Sequence, residues 1–155
     1  MTSDPIAFSL RQAAESDVDF LLDLRTRSMG PHQVAAGIVL SAQEHERRVR
    51  DSFECAEIIE VDDVMAGMWK VLRPVNEWRL MQIQLLPMFQ ARGIGGQLVR
   101  TLIAEATSAK VALTLTVLKN NPARRLYERL GFVVVSEGRH GFEMRLRCDR
   151  RTTHQ

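Results

Sequence analysis

The residues with the clearest chemical potential in this sequence are Gln90-Ala91-Arg92-Gly93-Ile94-Gly95-Gly96, which follow an alternating apolar run and open directly into a helix-period pattern. At the start of a helix several backbone N–H groups have no intrahelical acceptor, and the macrodipole adds partial positive charge, so an anion is stabilised there. Glycines at 93, 95 and 96 remove the side chains that would hold a diphosphate away from those amides, and Arg92 stands at the flank to add a charge-assisted contact. The same glycines also suit a strand-to-helix turn that binds nothing, and the spacing alone does not choose between the two.

A second segment downstream, Asn120-Asn121-Pro122-Ala123-Arg124-Arg125-Leu126-Tyr127-Glu128-Arg129-Leu130-Gly131-Phe132, adds weight to the first. Together the two stretches resemble the Gcn5-related N-acetyltransferase (GNAT) superfamily. Its phosphate-loop signature, Arg/Gln-x-x-Gly-x-Gly/Ala, is matched by Gln90, Gly93 and Gly95. Its later signature, Asn-x-x-Ala-x-x-Leu/Phe-Tyr-x-x-x-Gly-Phe, is matched by Asn120, Ala123, Leu126, Tyr127, Gly131 and Phe132. Both occur in the family's order and at its separation. The resemblance implies an α/β fold, the GNAT acyl-CoA acyltransferase fold, with a mixed, mostly antiparallel central sheet flanked by helices. One such domain is expected over residues 1–150, with 151–155 as a tail.

The implied activity is transfer of an acetyl group from acetyl-CoA, as cosubstrate, to an amine of a small molecule or of a peptide or protein, by direct attack. In this family the strands before the phosphate loop and before the last helix splay apart and the cofactor enters between them; here those strands end near Leu86 and Val117. Backbone groups of Ile83, Gln84 and Leu85 would pair with the pantetheine arm as an added strand. The pyrophosphate would sit over Ala91, Arg92, Gly93, Ile94, Gly95 and Gly96, with Gln90 opening the motif. Asn120 or Asn121 would hydrogen-bond the pantetheine; the motif's spacing favours Asn120, and helix capping is the other role open to both. No metal is implied. Relatives often dimerise, which leaves a homodimer open here.

Acetyl transfer needs a neutral amine, a polarised carbonyl and a protonated leaving thiolate. An alkylamine of pKa about 10.4 is neutral in about one molecule per thousand near pH 7, so a base or a water chain must take its proton. The leaving thiol has a pKa of about 8.5, and a phenol of about 10 can donate to it. Tyr127, the only tyrosine, occupies the family's general-acid position; packing of its ring against the sheet is the plain structural alternative. An N–H of the strand before the loop, that of Leu85, is the expected donor to the thioester oxygen. Many relatives carry a carboxylate base on that strand or on the strand before Asn120, but here these places read Met81-Gln82 and Val111 to Leu118, with no acid. Glutamine cannot act as a base. Gln82 and Gln84 can order a water, Glu77, His32, Glu44 and His45 are candidates from the acceptor side, and the base stays open.

That gap motivates a second reading, a non-catalytic module that holds acyl-CoA. A nucleotide-binding phosphate loop is weaker, because the Lys-Ser/Thr of Walker-type loops is missing after the glycines. The acceptor would be set by residues 30–40 and 136–142. The first of these, with Met29 at its start and Val34, Ile38 and Val39 within it, carries little charge, which mildly disfavours a strongly cationic polyamine needing an acidic pocket.

These residues need a scaffold, and 155 residues of 45% hydrophobic and 26% charged content suffice for one compact core. A net charge of +2 is too small to imply a nucleic-acid or membrane surface, and the basic run from Arg145 to Arg151 reads as a solvated strand end and tail. With no membrane span or signal peptide in the sequence, a cytoplasmic location is expected. Cys55 and Cys148 make neither a disulfide framework nor a metal cluster.

Periodicity predicts a strand over 6–11 with Ile6, Phe8 and Leu10 on its buried face, then a helix capped by Ser16 and ended by Gly30-Pro31. The capping box Ser41-Ala42-Gln43-Glu44 starts a helix to about Phe53. Strands over 56–61 and 64–72 bracket Asp62-Asp63 as a hairpin, and a strand over 78–86 places Leu80, Gln82, Gln84 and Leu86 on one face before Pro87 stops it. A helix over 94–109, a strand over 111–117, a helix from Asn121-Pro122 to Gly131 and a hairpin of 132–135 with 142–147 complete the order β-α-α-β-β-β-α-β-α-β-β.

Overall fold

The computed structural model describes residues 6–28 and 40–147. The chain runs β1 (Ser9–Gln12), α1 (Val18–Ser28), α2 (Ala42–Arg50), β2 (Ala56–Val61), β3 (Val64–Leu72), β4 (Glu77–Leu85), α3 (Ile94–Ala109), β5 (Ala112–Leu118), α4 (Ala123–Arg129), β6 (Phe132–Glu137) and β7 (Gly141–Leu146). The seven strands form one sheet in the order β1-β2-β3-β4-β5-β7-β6. Every neighbouring pair is antiparallel except β4 and β5, which the α3 crossover joins in parallel. This is the mixed, mostly antiparallel α/β sheet expected. No described helix is long and apolar enough to cross a membrane.

Local chemistry accounts for most boundaries. Asp62 (φ 51°) and Asp63 (φ 65°) both adopt left-handed backbone, which matches the twist of the β2–β3 hairpin and which Asp tolerates better than most residues. Ser41 Oγ accepts from the Glu44 N–H at 3.1 Å, starting α2 as predicted. The Glu44 carboxylate turns instead to Arg47 at 2.5 Å, and α2 stops at Arg50 rather than near Phe53. Ser16 does not cap α1: Asp17 reaches back to the Ala14 N–H at 2.7 Å, fixed by a salt bridge to Arg11 at 2.9 Å, and a short 3-10 turn leads into the helix. The first strand starts at Ser9, later than its alternation suggested, and Leu10 on this sheet edge is 37% exposed. The predicted stop of α1 at Gly30-Pro31 lies outside the described residues.

Two features of β3 and β4 shape the centre of the sheet. The register steps from Lys70 opposite Gln82 to Val71 opposite Leu80, so Met81 is an extra residue in β4. A bulge bends its strand and reverses which face later residues occupy. Leu80 therefore shares the face of Val71, while Gln82 and Gln84 share that of Lys70 and Met68; the single face expected for Leu80, Gln82 and Gln84 is corrected by this one residue. Lys70 is fully buried, and its Nζ donates to the carbonyls of Arg48, Val49 and Asp51 at the C-terminal end of α2. That contact assigns α2 to the Lys70 face. Ile83, on the other face, approaches Gly95 at the start of α3.

Gly67 allows the second feature, a close approach of β3 to β4. A β-carbon there would fall 2.1 Å from Gln84 O and 2.9 Å from Leu85 Cδ2. Gly67→Val is therefore expected to lower stability by about 1–3 kcal/mol, read as a lower urea midpoint. An unchanged midpoint would show that the two strands separate at no cost.

Candidate active site

Parallel pairing of β4 with β5 covers Glu77–Leu80 against Ala112–Leu115 and goes no further. Beyond the Met81 bulge β4 continues beside β3, while β5 continues beside β7, so the two strands part. A cleft of about 630 Å³ opens there, bordered by Ile83–Leu85 of β4, the start of α3, and Asn121, Leu126 and Tyr127 around α4.

Hydrogen-bond alternation decides which backbone groups face this opening. Leu86 N–H donates to Ala66 O at 2.9 Å, which makes that opposed pair a hydrogen-bonded one. In an antiparallel ladder such pairs alternate with non-bonded ones. The backbone of Gln84 therefore turns to Met68 of β3, while the N–H and C=O of Ile83 and Leu85 turn away from β3 toward the cleft. Gln90 Nε2 takes Leu85 O at 2.9 Å, tying the loop back to the strand end. Gln84 borders the cleft, and its Nε2, buried, has no partner among the described residues.

The loop enters α3 through left-handed backbone at Ala91 (φ 59°) and at Gly93 (φ 86°), the residue preceding the helix. The first intrahelical bond runs from Gln97 N–H to Gly93 O at 3.0 Å. Ile94, Gly95 and Gly96 thus keep N–H groups without an intrahelical acceptor, no side chain among the described residues caps them, and no acid lies in the first turn. Ala91, Gly93, Ile94, Gly95 and Gly96 all border the cleft. Arg92 does not: its guanidinium lies 6.0 Å over the ring of Phe89. The cations that border the cleft are Arg100, one turn along α3 from Gly96, and Arg129 of α4. Neither was singled out from the sequence; helical spacing after the glycine loop was the available signal for Arg100.

Tyr127 is 6% exposed, borders the cleft and packs edge-on to Phe132 with centroids 5.9 Å apart. Burial pushes its phenol up to about 12, so it stays protonated through the neutral range. Of the two asparagines, Asn121 borders the cleft and Asn120 does not. Asn121 Oδ1 accepts from the Ala123 N–H at 2.9 Å, which orients the side chain by capping α4.

The FR47-like protein family matches residues 61–140, a little over half of the 155-residue chain, and that span holds the loop, the splayed strands and Tyr127. The chain belongs to this family. The solved structures this chain resembles include acetyltransferases, one of them a member of the GNAT family. A PaiA N-acetyltransferase from Thermoplasma acidophilum, solved with coenzyme A, superposes with a TM-score of 0.71 over 92% of this chain and 100% of its own, at 15% identity. An acetyltransferase of the GNAT family from Listeria monocytogenes gives 0.64 over 94% and 97%, at 15% identity. The N-acetylglutamate synthase of Neisseria gonorrhoeae, solved with coenzyme A and N-acetyl-glutamate, gives 0.67 over 96% of this chain and 37% of its own, at 17% identity. At these identities the likeness carries the fold. No curated protein sequence matches the chain.

The carboxylates that the sequence offers as bases are held in ion pairs. Glu77 contacts Arg145 at 3.5 Å, and Glu44 is shared by Arg47 and Arg48. His45 Nδ1 accepts from Arg25 Nε at 3.1 Å, and burial, with the charges of Arg25 and Arg48, lowers its pKa. His32 lies outside the described residues. One carboxylate that the sequence did not point to arrives from β7: Glu143 takes Arg79 of β4 in two bonds, 2.7 and 3.0 Å, and the Thr116 hydroxyl of β5 at 2.7 Å. Arg79 holds Glu143 below the usual carboxylate range, which makes it a latch across three strands and a weak base. Among the described residues, no group of His, Cys, Asp or Glu converges to hold a metal ion.

Proposed function

We propose that this chain is an N-acetyltransferase that uses acetyl-CoA and acetylates an amine, with Tyr127 as the proton donor. The observation that carries the reading is the content of a single cleft: unpaired amides at the start of α3, cleft-facing backbone at Ile83 and Leu85, and a protonated phenol. The α3 amides, with Arg100 and Arg129 nearby, suit the pyrophosphate. The outward N–H and C=O of Ile83 suit an amide of pantetheine laid down as an added strand, Leu85 O being held by Gln90. Leu85 N–H is the donor for the thioester oxygen as negative charge develops there.

The acceptor amine attacks the carbonyl carbon, the C–S bond breaks, and Tyr127 O–H donates to the departing sulfur. A phenol near 12 and a thiol near 8.5 differ by about 3.5 units in their separate settings. The burial that lifts the phenol also lifts a thiol in the same cleft, which narrows that gap. The ammonium proton passes to water ordered by Gln82, since the carboxylate of β4, Glu77, is held by Arg145 and glutamine is not a base.

A direct test follows CoA release from acetyl-CoA over a panel of primary amines. Amine-dependent release above the hydrolysis background, with the acetylated amine identified by mass, supports the reading. Binding of acetyl-CoA with no acetylation across the panel would favour a holding module instead.

A further inference from the structure

On the α2 side of the sheet lies a second cleft, about 690 Å³, bordered by Arg47, Arg48 and Arg50 of α2 and by Arg79, Met81 and Gln82 of β4. It adjoins the first along the same strand: Gln82 borders one and Ile83, the next residue, the other. The two side chains lie on opposite faces of the sheet, and the passage between those faces is the gap where β4 and β5 part beyond Leu80, through which an amine carried by a molecule seated among these arginines would extend toward the thioester.

The shortage of negative charge around this cleft is local to Arg47 and Arg48. Its four guanidiniums face two carboxylates, Glu44 and Asp51. Arg79 is taken by Glu143, and Arg50 by Glu15 and Glu46 at 2.9 and 3.1 Å. Arg47 and Arg48 share Glu44, the first at 2.5 Å and the second only at 3.9 Å. Behind them two further cations are buried. Arg25 of α1 is 1% exposed; its Nε is spent on His45, and its Nη1 has no partner among the described residues. Lys70 is satisfied by backbone carbonyls, and Asp51 and Glu54 act on its charge. Burial and the charge of Arg48 lower Arg25 to about 10, so it remains a source of positive field at neutral pH from the low-dielectric side of the cleft.

We propose that the acceptor carries an oxyanion group besides its amine, and that this group docks on Arg47 and Arg48 while the amine reaches past Gln82 toward the thioester. The planar guanidinium fork suits carboxylate and phosphate alike, and the surplus charge disfavours a second ammonium. The inference rests on the acetyl-transfer reading above and adds the class of acceptor to it.

The test compares kcat/KM, at saturating acetyl-CoA, for four amines of matched length: an alkylamine, a terminal diamine, an amino carboxylate and an aminoalkyl phosphate. The anionic amines are expected to exceed the alkylamine by about tenfold or more, with the diamine poorest. The carboxylate and phosphate arms tell which oxyanion fits. Arg48→Gln and Arg47→Gln are expected to cut the preference about fivefold each, with the melting temperature as the check on folding. An equal or reversed ranking, or a ranking untouched in both variants, overturns the proposal even if acetyl transfer is established. If no amine is acetylated, the same amines are tested by thermal shift beside CoA. An anionic amine that raises the melting temperature of the parent and not of Arg48→Gln upholds the docking site without the transfer reading. No shift overturns the proposal.

Discussion

Tyr127→Phe is expected to lower kcat for acetyl transfer by about a hundredfold or more and to leave the affinity for acetyl-CoA within about threefold of the parent. The substitution removes one oxygen and keeps the ring, so the edge-on contact with Phe132 survives and folding is preserved. What is lost is the donor to a sulfur that gains charge only as the C–S bond breaks, an interaction stronger in the transition state than in the ground state. Such a loss falls on kcat. The pH profile sharpens the test. A phenol raised to about 12 is protonated, and competent as a donor, at every pH below that value. The parent rate should therefore climb with pH as the acceptor amine is deprotonated, toward about 10.4 for an alkylamine, with no fall assignable to Tyr127. The Phe variant should show the same climb at a lower height. Full turnover by Tyr127→Phe would remove the donor role and leave the ring as packing.

Gly95→Glu is expected to weaken acetyl-CoA binding by at least about a hundredfold while the protein keeps or slightly raises its melting temperature. A β-carbon at this position meets only Ile83 Cδ1, at an ordinary 3.8 Å, so the backbone need not move. A carboxylate in the first turn of α3 also favours the helix dipole, by about 0.3–1 kcal/mol. The same carboxylate occupies the cleft and competes for the free amides of Ile94, Gly95 and Gly96, where a bound phosphate would meet both bulk and like charge. Gly93 is a poorer choice, because its φ of 86° would add backbone strain to any side chain placed there. Binding by Gly95→Glu equal to that of the parent would move the anion site away from α3.

The loop and its helix were legible because glycine punctuation and helical period coincide: α3 runs over Ile94–Ala109 as its pattern predicts. The β2–β3 hairpin was legible from two aspartates between alternating runs. The Met81 bulge was not. One extra residue leaves no compositional trace, yet it reverses the faces of β4, parts that strand from β5 and brings Gln82 onto the arginine-lined side. Contacts made by distant segments were equally silent. Nothing local announces that Glu143 of β7 closes on Arg79, that Arg25 is buried against His45, or that Arg100 and Arg129 border the cleft instead of Arg92. The choice between Asn120 and Asn121 turns on the last residues before α4, where Asn121 caps the helix and faces the cleft. The segment over 30–39, expected to help set the acceptor, lies outside the described residues.

The central claim is that the cleft between β4 and β5 receives acetyl-CoA. Isothermal titration of acetyl-CoA into the folded parent protein tests it most directly. A saturable isotherm of one molecule per chain is expected, competed by CoA and lost in Gly95→Glu. A folded parent that gives no saturable heat, even with acetyl-CoA in large excess, would contradict the claim and with it the assignment of Tyr127.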